Sequence, residues 1–255
     1  MGDCIVRLNQ LIDQLSPAEA RVARYLLDHC QEAIGQPIET VSEACQTSKT
    51  TVVRLCKQLG FKGYKALSIA LSMELASGGE NRISYQDINP GDNIHTIIER
   101  VSQHTQAAIA DTVRVLGEED VLRAVDALDK AKRVDFYGAG TSALVALDAQ
   151  QKFQRLCRDT QTSTDPHVQV VIASRLERGD AAVFFSYSGE TEDMLDTLAV
   201  AKRGGAVTIS VTRYGVNRLS RGADIPLYVA SSEMLVRSAA MTSRIAMMHV
   251  VDILY

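Results

Sequence analysis

The chain has 255 residues, which is long enough to bury a hydrophobic core in one or two domains. Apolar residues make up 46% and charged residues 23% of the sequence, as in ordinary globular proteins, and a net charge of -4 excludes a broadly basic nucleic-acid coat. Five cysteines without a C-x-x-C pair, no apolar run long enough for a membrane span and no secretory signal predict a cytoplasmic protein without a membrane partner.

Residues 1–76 are predicted to form an entirely helical domain. Ser16-Pro17-Ala18-Glu19 is a capping box with proline at the first helical position, so a helix is expected to start there. Two further helices are expected over Ile38 to Cys45 and from Ser48 to Leu59, separated by a break at Gln46-Thr47. Two short helices joined by a tight turn are the pattern of a helix-turn-helix.

Basic side chains are concentrated in and just after the second of these helices. Between Ser48 and Lys65 there are five lysines and arginines and no acid, whereas the rest of the helical segment is acidic on balance. Such side chains can neutralise DNA phosphates, and those at the helix start can reach base edges. The alternative is a helical bundle with a basic solvated face. The residues predicted to contact DNA are Ser48, Lys49, Thr50, Thr51, Arg54 and Lys57.

The stretch TVVRLCKQLGFKGY, Thr51 to Tyr64, with the preceding start Ser48 to Val52, resembles the N-terminal signature of the RpiR family of bacterial transcription regulators. Its ending, L-G-F-x-G-aromatic, is absent from generic helix-turn-helix segments. The resemblance implies operator DNA as a partner. It also implies a C-terminal SIS (sugar isomerase) domain that senses phosphosugars.

Residues 77–91 are polar and turn-rich and are predicted to be a linker, so that 92–255 would form a second domain. This domain is expected to begin with two helices, a long one from Ile94 to Leu116 and another over Asp120 to Ala131. Strands and helices then alternate, which predicts an α/β, SIS-like fold with a parallel sheet covered by helices on both faces. Five strands are expected, at Arg133 to Tyr137, Thr160 to Thr164, Ala181 to Phe185, Ala206 to Val211 and Ile225 to Val229.

Two glycine- and hydroxyl-rich loops are predicted to meet at one edge of this sheet. The C-terminal ends of parallel strands share an edge, and ligands bind outside it. Gly138–Ser142 and Ser186–Thr191 each end a strand there and open a helix. Helix N-termini offer unpaired N–H groups and partial positive charge, so such loops can hold a phosphate without lysine. The alternative is that Ser188 merely caps its helix, with Thr191 in the first turn.

Both loops resemble the ligand loops of SIS domains, and S-Y-S-G-E-T, residues 186–191, does so almost letter for letter. Ser232-Glu233 resembles the last segment of the family's ligand edge. With the glycine that lets backbone approach an anion, the predicted effector-binding residues are Thr141, Ser142, Ser186, Ser188, Gly189, Thr191 and Glu233.

A dinucleotide site is the first rival, because Gly138–Ala143 satisfies G-x-G-x-x-G/A. That fold expects an acid at the end of the second strand. Asp159 precedes the predicted strand and Asp165 lies too far along, so no nicotinamide or other cofactor is expected. The histidines show no metal-ligand spacing, and no metal site is expected.

A SIS-type aldose–ketose isomerase is the second rival, with Glu233 as the base and His167 opening the sugar ring. An enzyme would have no use for a basic recognition helix, which favours a regulator without catalytic residues. The predicted function is that of a DNA-binding transcription regulator controlled by a phosphosugar. It is expected to act as a homodimer or homotetramer on a palindromic operator.

Overall fold

The computed structural model describes residues 4–76, 88–89, 91–156, 159–231 and 241–255. The chain divides into two compact units, Met1–Gln86 and Asp87–Tyr255, and the division falls inside the stretch predicted as a linker. The limits of the domains themselves stay a prediction. In the part of the chain that the structure describes, no helix has the length and apolar character needed to cross a bilayer.

The N-terminal unit is helical, as predicted. Ser16 caps the second helix through the expected capping box, with Pro17 at its first position. Gly60 has a φ of 87° and follows the fifth helix, where an αL residue lets the last carbonyls be satisfied. The helices are α1 (Cys4–Leu11), α2 (Pro17–Asp28), α3 (Cys30–Ala33), α4 (Ile38–Ala44), α5 (Lys49–Gln58) and α6 (Tyr64–Ala76), with a 3-10 turn over Ile12–Gln14.

The C-terminal unit is an α/β domain whose described strands are all parallel, in the order β1-β2-β3-β4. The strands are β1 (Val134–Gly138), β2 (Ala181–Phe185), β3 (Val207–Arg213) and β4 (Ile225–Val229). The helices are α7 (Ile94–Val115), α8 (Glu118–Lys130), α9 (Thr141–Arg155), α10 (Pro166–Ala173), α11 (Glu192–Gly204), α12 (Arg218–Gly222) and α13 (Met241–Leu254).

Helices cover both faces of this sheet, as predicted. Side chains alternate across a strand, so Phe136 and Val183 pack on one face against α8, α9 and α13. Tyr137 and Phe184 point to the other face, where they pack against α10 and α11. All five residues of β1 and of β2 are buried, because helices cover both faces of the sheet.

The prediction of five strands is wrong, since four are found among the described residues. The segment expected as a strand at Thr160 to Thr164 lies beside β1 but forms an incomplete ladder. The amides of Val134 and Phe136 donate to the carbonyls of Asp159 and Gln161, each at 3.0 Å. In return, the amide of Gln161 donates to the side chain of Asp135 at 2.9 Å. A carboxylate thus takes the donor that a regular ladder would direct to a carbonyl.

Asp135 is the centre of a buried polar cluster at this edge. Its carboxylate accepts hydrogen bonds from Arg133 Nε at 2.9 Å and Nη2 at 2.7 Å, and from the hydroxyl of Tyr137 at 3.2 Å. Burial raises the pKa of the Asp135 carboxyl, and the bonds from Arg133 only partly offset this effect. The pair therefore depends on both partners being present, because either charge alone would be costly to bury.

We expect Asp135→Ala to lower the free energy of unfolding by about 3–5 kcal/mol, because it leaves the Arg133 guanidinium without its carboxylate. Urea denaturation followed by circular dichroism measures this change. The apolar double variant Arg133→Met/Asp135→Leu is the matched control and should be more stable than Asp135→Ala. A single variant as stable as the wild type would contradict a structural role for the pair.

Candidate functional site

The turn between α4 and α5 is held by hydrogen bonds from both sides. Gln46 has a φ of 49°, in the left-handed region, and the amide of Thr47 donates to the carbonyl of Ser42 at 2.9 Å. Arg21 of α2 donates from Nε to the carbonyl of Cys45 and from Nη2 to that of Gln46, at 3.2 and 3.1 Å. Hydrogen bonds from α2 thus hold the turn between α4 and α5 in place.

The predicted DNA-contacting residues lie at the start and on one face of α5. Ser48 is its N-cap, with Oγ accepting from the amide of Thr51 at 3.2 Å. Thr51 is half-buried, so these two hydroxyls serve the start of the helix. The other predicted residues are exposed, while the opposite side packs into the core. These other residues are Lys49, Thr50, Arg54 and Lys57.

Two of these cations already have acidic partners. Lys49 Nζ lies 2.5 Å from Glu39 Oε1, and both side chains are more than half exposed, so the pair is weak and can exchange its partner for another anion. Arg54 Nε lies 2.6 Å from Oε1 of Glu19, whose side chain is only 5% exposed. The capping-box pattern in the sequence identified Glu19 as a residue at the start of a helix, but it gave no sign that Glu19 also pairs with Arg54.

The loop Ser186–Thr191 leaves β2 with its first hydroxyl turned inward. Ser186 is buried, and its amide donates to the carbonyl of Val211 at 3.2 Å. Its Oγ accepts from the amide of Gly189 at 3.3 Å and lies 3.2 Å from Thr191 Oγ1. The buried Ser186 hydroxyl therefore contacts the loop on its inner side, between the end of β2 and the start of α11.

Ser188 and Thr191 are half-buried in the same loop. Ser188 Oγ accepts from the amide of Glu190 at 3.2 Å. Thr191, not Ser188, is the N-cap residue of α11, and its side chain makes no capping hydrogen bond. The interpretation of Ser188 as the helix cap is therefore wrong, and neither hydroxyl caps the N-terminus of α11.

The centre of the loop fits against a side chain that sequence reasoning missed. Gly189 has a φ of 68°, and a Cβ added to it would lie 2.0 Å from Oδ1 of Asn217. Asn217 is buried, caps α12 and donates from Nδ2 to Thr212 Oγ1 at 2.9 Å. The amide of Leu219 donates to the carbonyl of Gly189 at 2.9 Å. The segment after β3 thus holds the loop after β2.

The loop after β1 is held in a similar way by Gln169 of α10. This buried side chain donates from Nε2 to the carbonyls of Gly138 at 2.8 Å and Ser163 at 2.6 Å. Both partners are carbonyls, so the amide orientation is settled by the hydrogen bonds. A Cβ on Gly138 would lie 2.5 Å from the carbonyl oxygen of Ser142, so α9 starts directly over the strand end.

The structure brings the two predicted ligand loops to neighbouring strand ends, since Gly138 is paired with Phe185 in the parallel register. Thr141 is exposed and Ser142 half-buried in the first turn of α9. Glu233 lies outside the described residues. His167 is exposed at the start of α10, where its amide donates to Asp165 Oδ1. Among the residues described, no cluster of three or more metal-type ligands occurs.

Residues 3–78 match the helix-turn-helix domain of the rpiR family, and residues 127–255 match the SIS domain. The chain is 35% identical, over all 255 of its residues and 90% of the relative, to an uncharacterized HTH-type transcriptional regulator of Caldanaerobacter subterraneus. This chain belongs to the RpiR family. The resemblance noted in its sequence is therefore confirmed.

Two further similarities extend over nearly the full chain. The HTH-type transcriptional regulator HexR of Pseudomonas aeruginosa is 32% identical over 254 residues, with 100% of this chain and 88% of HexR covered. The Vibrio vulnificus NanR protein, solved in complex with ManNAc-6P, is 25% identical with a TM-score of 0.60. That alignment covers 98% of this chain and 89% of NanR.

Two glycines of this RpiR-family protein form a matched pair for testing the loop packing. Both have positive φ, but a Cβ on Gly140 would meet no atom within 4 Å, whereas one on Gly189 would overlap Asn217. We expect Gly140→Ala to lower the free energy of unfolding by about 1–3 kcal/mol from backbone strain alone. Gly189→Ala should lower it further, as measured by urea denaturation. Equal losses would contradict the close packing.

Proposed function

We propose that this chain is a DNA-binding transcription regulator whose activity is controlled by a phosphosugar bound in its SIS domain. The observation that carries the proposal is the presence, in one RpiR-family chain, of an exposed basic helix and a hydroxyl-rich loop at a strand end. The full-length similarity to regulators supports the first part. The ManNAc-6P complex of NanR supports a phosphosugar as the class of effector.

The proposed phosphate site consists of the loop Ser186–Thr191 together with the first turn of α9. Half-buried hydroxyls of Ser142, Ser188 and Thr191 can donate to phosphate oxygens, while Gly189, packed against Asn217, lets the loop adopt the turn that presents them. The helix N-terminus adds partial positive charge. Ser186, Thr141 and Glu233 complete the proposed effector-binding set.

Acidic residues at this helix end oppose an anion and are partly compensated. Glu192 and Asp193 occupy the first turn of α11. Arg218 pairs with Glu192 through its guanidinium, and its amide donates to Glu190 Oε1 at 3.0 Å. The hydrogen bond from Arg218 lowers the pKa of the Glu192 carboxyl. We therefore assign recognition of the dianion to hydroxyls and main-chain amides of the loop, with Arg218 offsetting local negative charge.

The proposed DNA contacts are those on the exposed face and at the start of α5, Ser48 to Lys57. A homodimer or homotetramer would place two such helices about one DNA turn apart on a palindromic operator. Exposed apolar residues on the first two helices of the C-terminal unit support association of copies, since Ile94, Ile98 and Leu122 are 72%, 58% and 70% exposed. The effector can shift operator affinity only by its differential affinity for the two arrangements.

The isomerase alternative differs from the regulator because it requires that the bound phosphosugar is converted, not only bound. Glu233 would act as the base and His167 would assist ring opening. A colorimetric assay for ketose formation on each phosphosugar that stabilises the protein separates the two functions. Binding without turnover supports the regulator, and turnover supports the isomerase.

We expect Ser188→Ala to weaken phosphosugar binding by about ten- to a hundredfold, since it removes a hydrogen bond to a charged group. Isothermal titration with ManNAc-6P and a panel of hexose 6-phosphates measures the effect. Ser174→Ala is the control, because Ser174 is exposed at the end of α10 and bonds only locally to the carbonyl of Val171.

Operator affinity of Ser188→Ala without effector should equal that of the wild type. Joint loss of DNA and effector binding in this variant would argue against separate modules. Effector binding as strong as in the wild type would remove Ser188 from the proposed site.

A further inference from the structure

Glu19 connects the start of α2 to the exposed face of α5. Its Oε2 accepts hydrogen bonds from the amide of Ser16 at 3.0 Å and from Ser16 Oγ at 2.5 Å. Its Oε1 accepts from Arg54 Nε at 2.6 Å and from Gln58 Nε2 at 3.1 Å. One oxygen therefore completes the capping box, and the other binds two residues one turn apart on the proposed recognition helix.

This carboxylate is buried but ionised. Burial raises the pKa of the Glu19 carboxyl, but the hydrogen bonds from Ser16 and Arg54 outweigh it, so the net shift is downward. A buried anion requires a charged, hydrogen-bonded partner, and Arg54 supplies the charge. The bond between Glu19 and Arg54 Nε is thus maintained at neutral pH by the cost of leaving the carboxylate unpaired.

Holding Arg54 by Nε leaves the N–H donors of its two terminal nitrogens for another partner. The group has five N–H donors, of which Nε provides one. Within the described residues, the bond to Glu19 is the hydrogen bond found for this side chain, which is 58% exposed. Thr50 and Lys57 lie four residues before and three after Arg54, so they share its exposed face.

We propose that Glu19 is a positioning residue for DNA binding, which clamps Arg54 so that its terminal nitrogens form a two-pronged contact with a DNA phosphate. This inference rests on the proposed function and goes beyond it, because it assigns a DNA-binding role to a buried acid. The planar guanidinium matches phosphate oxygens in pairs, and a fixed orientation lowers the entropy lost on contact.

If Glu19 positions Arg54, its removal weakens DNA binding, whereas simple electrostatics predicts stronger binding. Removing an acid next to a DNA-binding face strengthens the attraction to phosphates if charge alone matters. Removing the clamp weakens binding, because Arg54 then loses its preferred orientation. Measuring the affinity of a Glu19 variant therefore distinguishes the two accounts by direction, not only by size.

We expect Glu19→Gln to weaken binding about five- to thirtyfold, within the range for loss of one oriented contact. The probe is a duplex selected by the full-length wild-type chain from a random-sequence library, and fluorescence anisotropy measures its affinity. Glutamine also satisfies a capping box, so α2 should keep its start, which thermal unfolding checks. Glu39→Gln is the matched control, because it removes the exposed acid beside Lys49 and should not weaken binding.

Two further variants keep the test independent of folding effects in Glu19→Gln. Arg54→Ala should weaken binding and reduce the dependence of log affinity on log salt by about one phosphate contact, and adding Glu19→Gln to it should cause no further loss. Arg54→Lys keeps the charge without the planar fork and should bind more weakly than the wild type.

Affinity of Glu19→Gln or Arg54→Lys equal to or above that of the wild type would overturn the clamp. An unchanged salt dependence in Arg54→Ala would overturn the phosphate contact. Either result leaves the proposed function intact if the wild type still selects a duplex. Failure of the wild type to select any duplex would instead overturn the proposed function.

Discussion

The parallel pairing of β1 with β2 is the constraint on which the candidate effector site depends. Because Gly138 stands beside Phe185 in this register, the loops Gly138–Ser142 and Ser186–Thr191 begin next to each other. Each loop is then held from outside by a buried amide side chain, Gln169 for the first and Asn217 for the second. Positions for hydroxyls and main-chain amides are therefore set before any ligand arrives, which lowers the cost of binding.

In the N-terminal unit a buried side chain also holds a surface segment, but this side chain is a carboxylate and not an amide. Glu19 is buried where α2 begins and holds Arg54, while Arg21 holds the turn before α5 through the carbonyls of Cys45 and Gln46. The exposed face of α5 is therefore positioned by α2 at two points. In both units a buried polar side chain contacts the segment that carries the proposed site, so packing and placement of the site are coupled.

Local patterns in the sequence predicted most of the fold and the composition of the loops. The capping box at Ser16 and the apolar run Ala181–Phe185 gave correct elements, since their signals lie within a few residues. The strand expected at Thr160 to Thr164 was wrongly predicted because Asp135 binds the amide of Gln161, 26 residues away. The contacts of Asn217 with Gly189 and of Glu19 with Arg54 are equally non-local, so no spacing rule could find them. Glu233 stays a prediction.

The central claim is that capture of a phosphosugar at the rim of the SIS domain changes DNA binding by the helix-turn-helix unit of the same chain. Thermodynamic linkage makes this claim measurable in both directions. Operator affinity is measured with and without a saturating phosphosugar, and phosphosugar affinity with and without saturating operator. The account predicts that both affinities change by the same factor, in the same direction. A phosphosugar that binds while operator affinity stays unchanged would contradict it.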